Sequence, residues 1–215
     1  MKATRLLIVN FVIIVLVIIA GFVGYYFYNQ STLYLTTDDA QVAGQQIAIS
    51  SPAAGKLVSW NGTQGKTFHS GDTVGQVTVS NGGTTQSINI PMPQDGTIVQ
   101  NNAVPNEYVA PGTPLAYAYN MNRLYVTANI KETQIQDVKV GDTVDVYIDA
   151  FPGTSVTGTV SQIGLATASS FSLLPSASTN ANYTKVTQVI PVTITLQGLP
   201  TGLAPGMSAT VRIHK

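Results

Sequence analysis

The chain has 215 residues, 44% hydrophobic and only 9% charged, and its ten Lys/Arg balance ten Asp/Glu at zero formal charge. That length accommodates one membrane segment and one or two small domains, and with no basic patch to hold phosphates the balance argues against a nucleic-acid partner. There is no cysteine, so disulfides and thiolate metal sites are excluded, and the two histidines, His69 and His214, offer too few ligands for a zinc site.

Residues 1–5 form a short tail carrying Lys2 and Arg5, and the run from Leu6 to Tyr28 is apolar, broken only by Asn10, with no charge. A helix over that run rises about 1.5 Å per residue and is long enough to cross a hydrocarbon core with some tilt. It ends in Tyr25-Tyr26-Phe27-Tyr28, an aromatic belt suited to the headgroup level, and not in the small-residue site of a cleaved signal peptide. The expectation is an uncleaved transmembrane anchor over 6–28. Lys2 and Arg5 precede the run and Asp38 and Asp39 are the first charges after it, which places the N-terminus in the cytoplasm and the bulk of the chain outside. Ala20 and Gly24 form a small-xxx-small pair, suited to helix contact and also common in membrane helices generally.

Residues 29–45 read as an exit linker and a first strand, with Thr37-Asp38-Asp39-Ala40 leading into Gln46-Ile47-Ala48-Ile49. Residues 46–119 hold one half-motif written twice. The first copy runs from Pro52-Ala-Ala-Gly55-Lys-Leu57-Val58 to Phe68-His-Ser-Gly71-Asp72-Thr-Val74; the second runs from Pro93-Gln-Asp-Gly96-Thr-Ile98-Val99 to Val109-Ala-Pro-Gly112-Thr113-Pro-Leu115. Gly55 to Gly96 and Gly71 to Gly112 are both 41 positions apart. Gly55, Gly71, Gly96 and Gly112 are therefore expected at structural turns, where glycine supplies positive φ. A solenoid needs at least three repeats; two predict half-sheets packed face to face. The halves, 46–79 and 88–119, are joined by a short hairpin over 80–87, with Asn81-Gly82-Gly83 between alternating flanks. This duplication resembles the biotinyl/lipoyl half-motif, a flattened sandwich of two four-stranded sheets. In carrier domains of that kind the joining turn presents a lysine; Thr78 to Gln94 contains none, so no cofactor is expected.

Residues 120–215 read as a small β-barrel: strands over Leu124–Ile130, Val144–Ile148, Val156–Ile163, Val189–Leu196 and Ala209–Ile213 with Gly/Pro punctuation. Lys131 to Val138 reads as a short polar helix. The long polar loop Ala166 to Lys185 carries the apolar island Phe171-Ser172-Leu173-Leu174-Pro175, and loops of that length tend to be functional or disordered.

These residues carry a family resemblance over nearly the whole chain. Thr37-Asp-Asp-Ala40, Lys131-Glu-Thr-Gln134 with Gly141 after it, and Phe171-Ser-Leu-Leu-Pro175 resemble the membrane fusion proteins of the HlyD/EmrA type, adaptor subunits of export systems. The resemblance implies a mainly β chain: an N-terminal transmembrane helix, a split lipoyl-like sandwich and a β-barrel. It implies a non-enzymatic adaptor at the plasma (inner) membrane, partnering an integral-membrane permease of the major facilitator class and multidrug efflux, with a homo-oligomer allowed. An ABC-type exporter, or a structural or sensory surface protein reusing these modules, are the alternatives. The family's long coiled-coil hairpin between the half-motifs is missing here, which implies a short form, either from a cell without an outer membrane or one that stops near the permease.

Contact residues are expected at Phe171, Leu173, Leu174 and Pro175, which either plug the barrel end or face a partner, and at Lys131, Glu132 and Gln134. The His69-Ser70-x-Asp72 cluster has triad residue types, but neighbours on one turn cannot form a nucleophile–base–orienter chain. Asp38 and Asp39 read as a solvated strand start.

Overall fold

Alternating burial shapes almost every element. The computed structural model describes residues 11, 13–25, 33–81, 84–167 and 187–215. The strands, in chain order, are β1 Tyr34–Ala43, β2 Gln46–Ser50, β3 Gly55–Trp60, β4 Thr67–Phe68, β5 Thr73–Asn81, β6 Thr84–Pro91 and β7 Gly96–Asn101, then β8 Tyr108–Val109, β9 Pro114–Tyr119, β10 Tyr125–Lys131, β11 Thr143–Ile148, β12 Ser155–Ile163, β13 Val189–Leu196 and β14 Ser208–His214. The chain divides into two compact units, 1–40 with 128–194 and 209–215, and 41–127 with 195–208.

The duplicated stretch builds two four-stranded sheets, ordered β2-β9-β7-β4 and β6-β5-β3-β8. Adding 41 to the residue numbers carries β3 onto β7, β4 onto β8 and β5 onto the start of β9 at Pro114. The same step turns one sheet into the other. Each half therefore contributes strands to both sheets, and neither half can close a core alone. Ile49, Leu57, Val74, Val77, Ile90, Met92, Ile98, Ala116 and Ala118 fill the space between. Both β3 and β7 carry a bulge at the same point of the repeat, with register shifts between Leu57 and Ser59 and between Ile98 and Gln100. The extra residues are Val58 and Val99.

The other strands close a barrel in the order β1-β10-β13-β12-β11-β14. Inward positions are uniformly apolar: Val126, Ala128, Ile130, Val144, Val146, Ile148, Val192, Ile194, Val211 and Ile213 are all buried. The barrel takes its first strand from the stretch before the sandwich, where the sequence suggested a linker and a single leading strand. Asp38 and Asp39 are exposed on that strand.

Two expectations change. Lys131 to Val138 is not a helix: Lys131 ends β10, and only Ile135–Asp137 forms a 3-10 turn, stopped where Val138 returns to extended backbone. And Gly71 and Gly112 have φ of 88° and 78°, whereas Gly55 and Gly96 do not have positive φ. Gly55 is required by crowding instead: a Cβ there would strike the carbonyl oxygen of Thr78 and come within 2.7 Å of Val77 Cγ1. The expected hairpin is an antiparallel pair, with β5 and β6 matched down to Asn81 opposite Thr84.

Residues 13–25 are helical with exposed side chains throughout. Among the described residues no helix is long and apolar enough to cross a membrane; the rest of the expected 6–28 span lies outside them.

Candidate functional site

One turn recurs in both units. At His69–Asp72 the Asp72 N–H donates to the His69 carbonyl at 3.1 Å, and at Ala110–Thr113 the Thr113 N–H donates to Ala110 at 3.2 Å. Lys139–Asp142 repeats it, with Asp142 N–H on Lys139 O at 3.2 Å, and so do Thr63–Lys66, Phe151–Thr154, Pro200–Leu203 and, more loosely at 3.4 Å, Ala204–Met207. Each has a positive-φ glycine in third place: Gly71, Gly112, Gly141, Gly65, Gly153, Gly202 and Gly206. Where an aspartate follows, its carboxylate accepts the first N–H of the turn, at 2.8 Å for Asp72 on His69 and 2.7 Å for Asp142 on Lys139. That explains His69-Ser70-x-Asp72 without catalysis. The Ser70 hydroxyl donates to the Pro93 carbonyl at 3.2 Å, its N–H to Asp95 at 2.8 Å, and His69 Nδ1 lies 3.7 Å from Asp72. His69 is 83% exposed. This turn borders a polar groove of about 540 Å³ that also takes in Asn120 and Arg123. Among the described residues no cluster of three or more His, Cys, Asp or Glu could hold a metal.

The expected contact residues fall in two groups. Phe171, Leu173, Leu174 and Pro175 lie outside the described residues. Lys131, Glu132 and Gln134 are exposed at the end of β10, where Glu132 N–H donates to Gln188 O and Gln134 N–H to Lys131 O. Beside them the barrel grips the start of β1. The Lys215 N–H donates to Leu33 O at 2.9 Å, and its ammonium pairs with Asp137 at 2.7 Å. The Arg212 guanidinium stacks 3.6 Å from the Tyr34 ring centre, a cation–π contact. The Tyr34 ring meets His214 edge-on at 4.9 Å, and His214 Nε2 lies 2.8 Å from Asp145.

Sequence reasoning missed two apolar surfaces. On the sandwich, Val58 and Tyr108 line an open groove of about 790 Å³ along the outer face of β3, β5 and β6. Its counterpart under the internal repeat, with Val99, Ile98 and Tyr119, is lined also by Met121 and the Ala204-Pro205-Gly206 turn. On the barrel, Val140 and Leu165 are exposed. The signal for Val140 was present: it occupies the turn slot held by Gln64, Ser70, Pro111, Pro152, Thr201 and Pro205 in the other copies, so an aliphatic side chain stands in a solvent position.

The described residues build a barrel-sandwich hybrid and a closed six-stranded barrel, the two modules on which the class of the protein rests. The YhbJ barrel-sandwich hybrid domain family matches residues 45–120, and the YknX-like beta-barrel domain family matches 124–213. The chain is 46% identical to the candidate efflux system component YhbJ of Bacillus subtilis (strain 168), over 100% of this chain and 95% of that protein. It is 32% identical over 133 residues to a multidrug export protein EmrA of Haemophilus influenzae, covering 60% of this chain and 34% of that one. The crystal structure of MacA from Actinobacillus actinomycetemcomitans superposes with a TM-score of 0.64 at 11% identity, over 85% of this chain and 79% of that one, a likeness of fold. The chain belongs to the HlyD/EmrA-type membrane fusion proteins, efflux adaptors, in the short YhbJ-like form.

Proposed function

We propose that this chain is a single-pass adaptor of the plasma (inner) membrane, with its N-terminus in the cytoplasm, that holds a multidrug permease of the major facilitator class. The observation that carries the reading is the direct run from an apolar, charge-free N-terminal segment into the first barrel strand. The helical residues 13–25 expose their side chains to the surroundings, as a lipid-facing helix does, and β1 begins at Tyr34. The relatives named for efflux and multidrug export support the export role. Anchor and barrel would engage the permease, assisted by Lys131, Glu132, Gln134 and the Phe171–Pro175 island. The sandwich would assemble with further copies around the exit path. Nothing in this role requires a cofactor or a reaction.

Co-purification from native membranes tests it. Recovery of a major facilitator permease is the expected result. An ABC permease instead would replace the partner class, and recovery with no transporter would remove the adaptor role.

A further inference from the structure

One end of the barrel is identified by hydrogen bonds between neighbouring strands. Leu33 O receives Lys215 N–H, Glu132 N–H reaches Gln188 O, Gly164 N–H reaches Pro191 O, and Gly141 N–H reaches Val160 O. These contacts put Leu33, the Lys139–Asp142 turn, Leu165 and Lys215 on a common rim. Leu33 is 44% exposed, Val140 64% and Leu165 103%. Among the described residues the barrel strands and their turns expose only one other large hydrophobic, Tyr147. It sits opposite Ser155 and Thr210 on the wall away from this rim. Single exposed aliphatic side chains are ordinary. Three gathered at one end of a barrel mark a contact.

Chain length says what lies opposite. From Tyr25 in the N-terminal helix to Leu33 is eight residues, which span at most about 29 Å when fully extended. If the helix is membrane-embedded with its tyrosines at the headgroup level, the rim cannot leave the neighbourhood of the bilayer surface. Among the described residues the rim's lysines and carboxylates balance: Lys131, Lys139 and Lys215 stand against Glu132, Asp137 and Asp142, with Lys215 and Asp137 paired. A contact made here is driven by apolar side chains and not by attraction to anionic lipid.

We propose that this rim is a second membrane contact, in which Leu33, Val140 and Leu165 enter the headgroup layer and hold the barrel against the bilayer. The proposal rests on the anchor reading above and adds a surface to it. It fixes the barrel's orientation by two attachments instead of one tether.

The absence of native cysteine makes the test direct. Single-cysteine variants V140C, L165C, S155C and F22C of the full chain are labelled with an environment-sensitive fluorophore and placed in phosphatidylcholine vesicles containing acyl-chain nitroxide lipid. All four positions are exposed, so the label displaces no packed neighbour. The expected result is quenching by about twofold or more at 22, 140 and 165, because those labels reach the headgroup–acyl boundary. Position 155, at the far end of β12, stays bright, and added salt changes nothing. Quenching at 22 with 140 and 165 as bright as 155 overturns the rim contact and leaves the anchor standing. No quenching at 22 overturns the anchor reading, and the rim contact with it. Emission at 140 and 165 that shifts blue with protein-to-lipid ratio, without quenching, assigns the rim to a second copy and overturns the lipid contact. Loss of quenching on adding salt overturns its apolar character.

Discussion

The four repeat glycines look interchangeable in the sequence, yet they serve two physical purposes. Gly71 and Gly112 adopt positive φ with open space where a Cβ would point; alanine there adds only backbone strain, about 1–2 kcal/mol. Gly55 has ordinary backbone but no room, because the Thr78 carbonyl crosses beneath it. Backbone cannot give way as a flexible side chain can, so Gly55→Ala is expected to cost about 3 kcal/mol. Gly96, whose nearest neighbours stand at 3.1–3.3 Å, is expected to cost about 1 kcal/mol. The single tryptophan supplies the readout. Trp60 Nε1 donates to Asn101 Oδ1 at 2.9 Å, joining two positions related by the repeat step, so its emission reports separation of the halves. Urea unfolding followed at Trp60 should rank Gly55→Ala below Gly71→Ala, and Gly96→Ala no lower than Gly71→Ala. Equal stability of the Gly55 and Gly71 variants would contradict the crowding assignment. The sequence marks all four sites as turns but cannot separate them, since the deciding atom at Gly55 belongs to a residue on another strand.

At the level of elements, the internal repeat is faithful inside and broken outside. The bulges at Val58 and Val99 match, as do the bonds Gly65 N–H to Ile98 O and Asn106 N–H to Leu57 O, both 2.8 Å. Asn106, at φ 71°, even adopts the left-handed backbone of its counterpart Gly65. The outer faces differ: Met121 and the Ala204–Gly206 turn join Val99 in lining one groove, whereas Tyr108, 80% exposed, and Val58, 46% exposed, lie open. An open groove of mixed lining that exposes Val58 and Tyr108, while its counterpart is lined by the chain's own turn, is suited to a neighbouring copy. Val58→Ser with Tyr108→Ser is expected to change unfolding free energy by less than about 0.5 kcal/mol while lowering the mass of the membrane-extracted assembly in analytical ultracentrifugation. An unchanged mass would remove this face from the assembly. The strand pattern behind these elements was legible because alternation survives at nearly every buried position: β13 runs Val189–Leu196 as expected, and the other barrel strands shift by a residue or so. The Lys131–Val138 helix was misread because a polar run with Ile135 and Val138 three apart mimics a helical face. Its backbone bonds instead bind a strand end to a turn. That β1 closes the barrel was illegible for a different reason: a strand's partners far along the chain leave no local mark.

For the whole molecule, the argument turns on reach. Lys2 and Arg5 against Asp38 and Asp39 predict that protease added to intact, wall-stripped cells removes the β units and spares the anchor; full protection of those units would reverse the orientation. How far the chain then extends from the membrane depends on the segment between the repeat halves. A coiled coil crossing 100 Å would need about 67 residues per arm at 1.5 Å each. Here Thr78 to Gln94 supplies 17 residues in all, and these continue the sheet as β5 and β6, paired to Asn81 and Thr84. Folded back, an arm of about eight residues at about 3.3 Å each reaches only about 26 Å. A ribbon of that length is part of the sandwich and too short to act as a bridge. Exchanging Asn81-Gly82-Gly83-Thr84 for another tight hairpin turn should therefore leave drug accumulation at the wild-type level. Leu173→Asp should abolish permease co-purification with thermal unfolding unchanged, if the loop faces the partner. A large fall in melting temperature for Leu173→Asp would place that side chain in the barrel core, where a buried charge costs several kcal/mol. The turn exchange decides the larger issue. A variant that keeps normal Trp60 emission yet accumulates drug like a deletion would make the tip a docking element and end the short-adaptor account. Retained export would leave the barrel and anchor as the surfaces through which the protein acts.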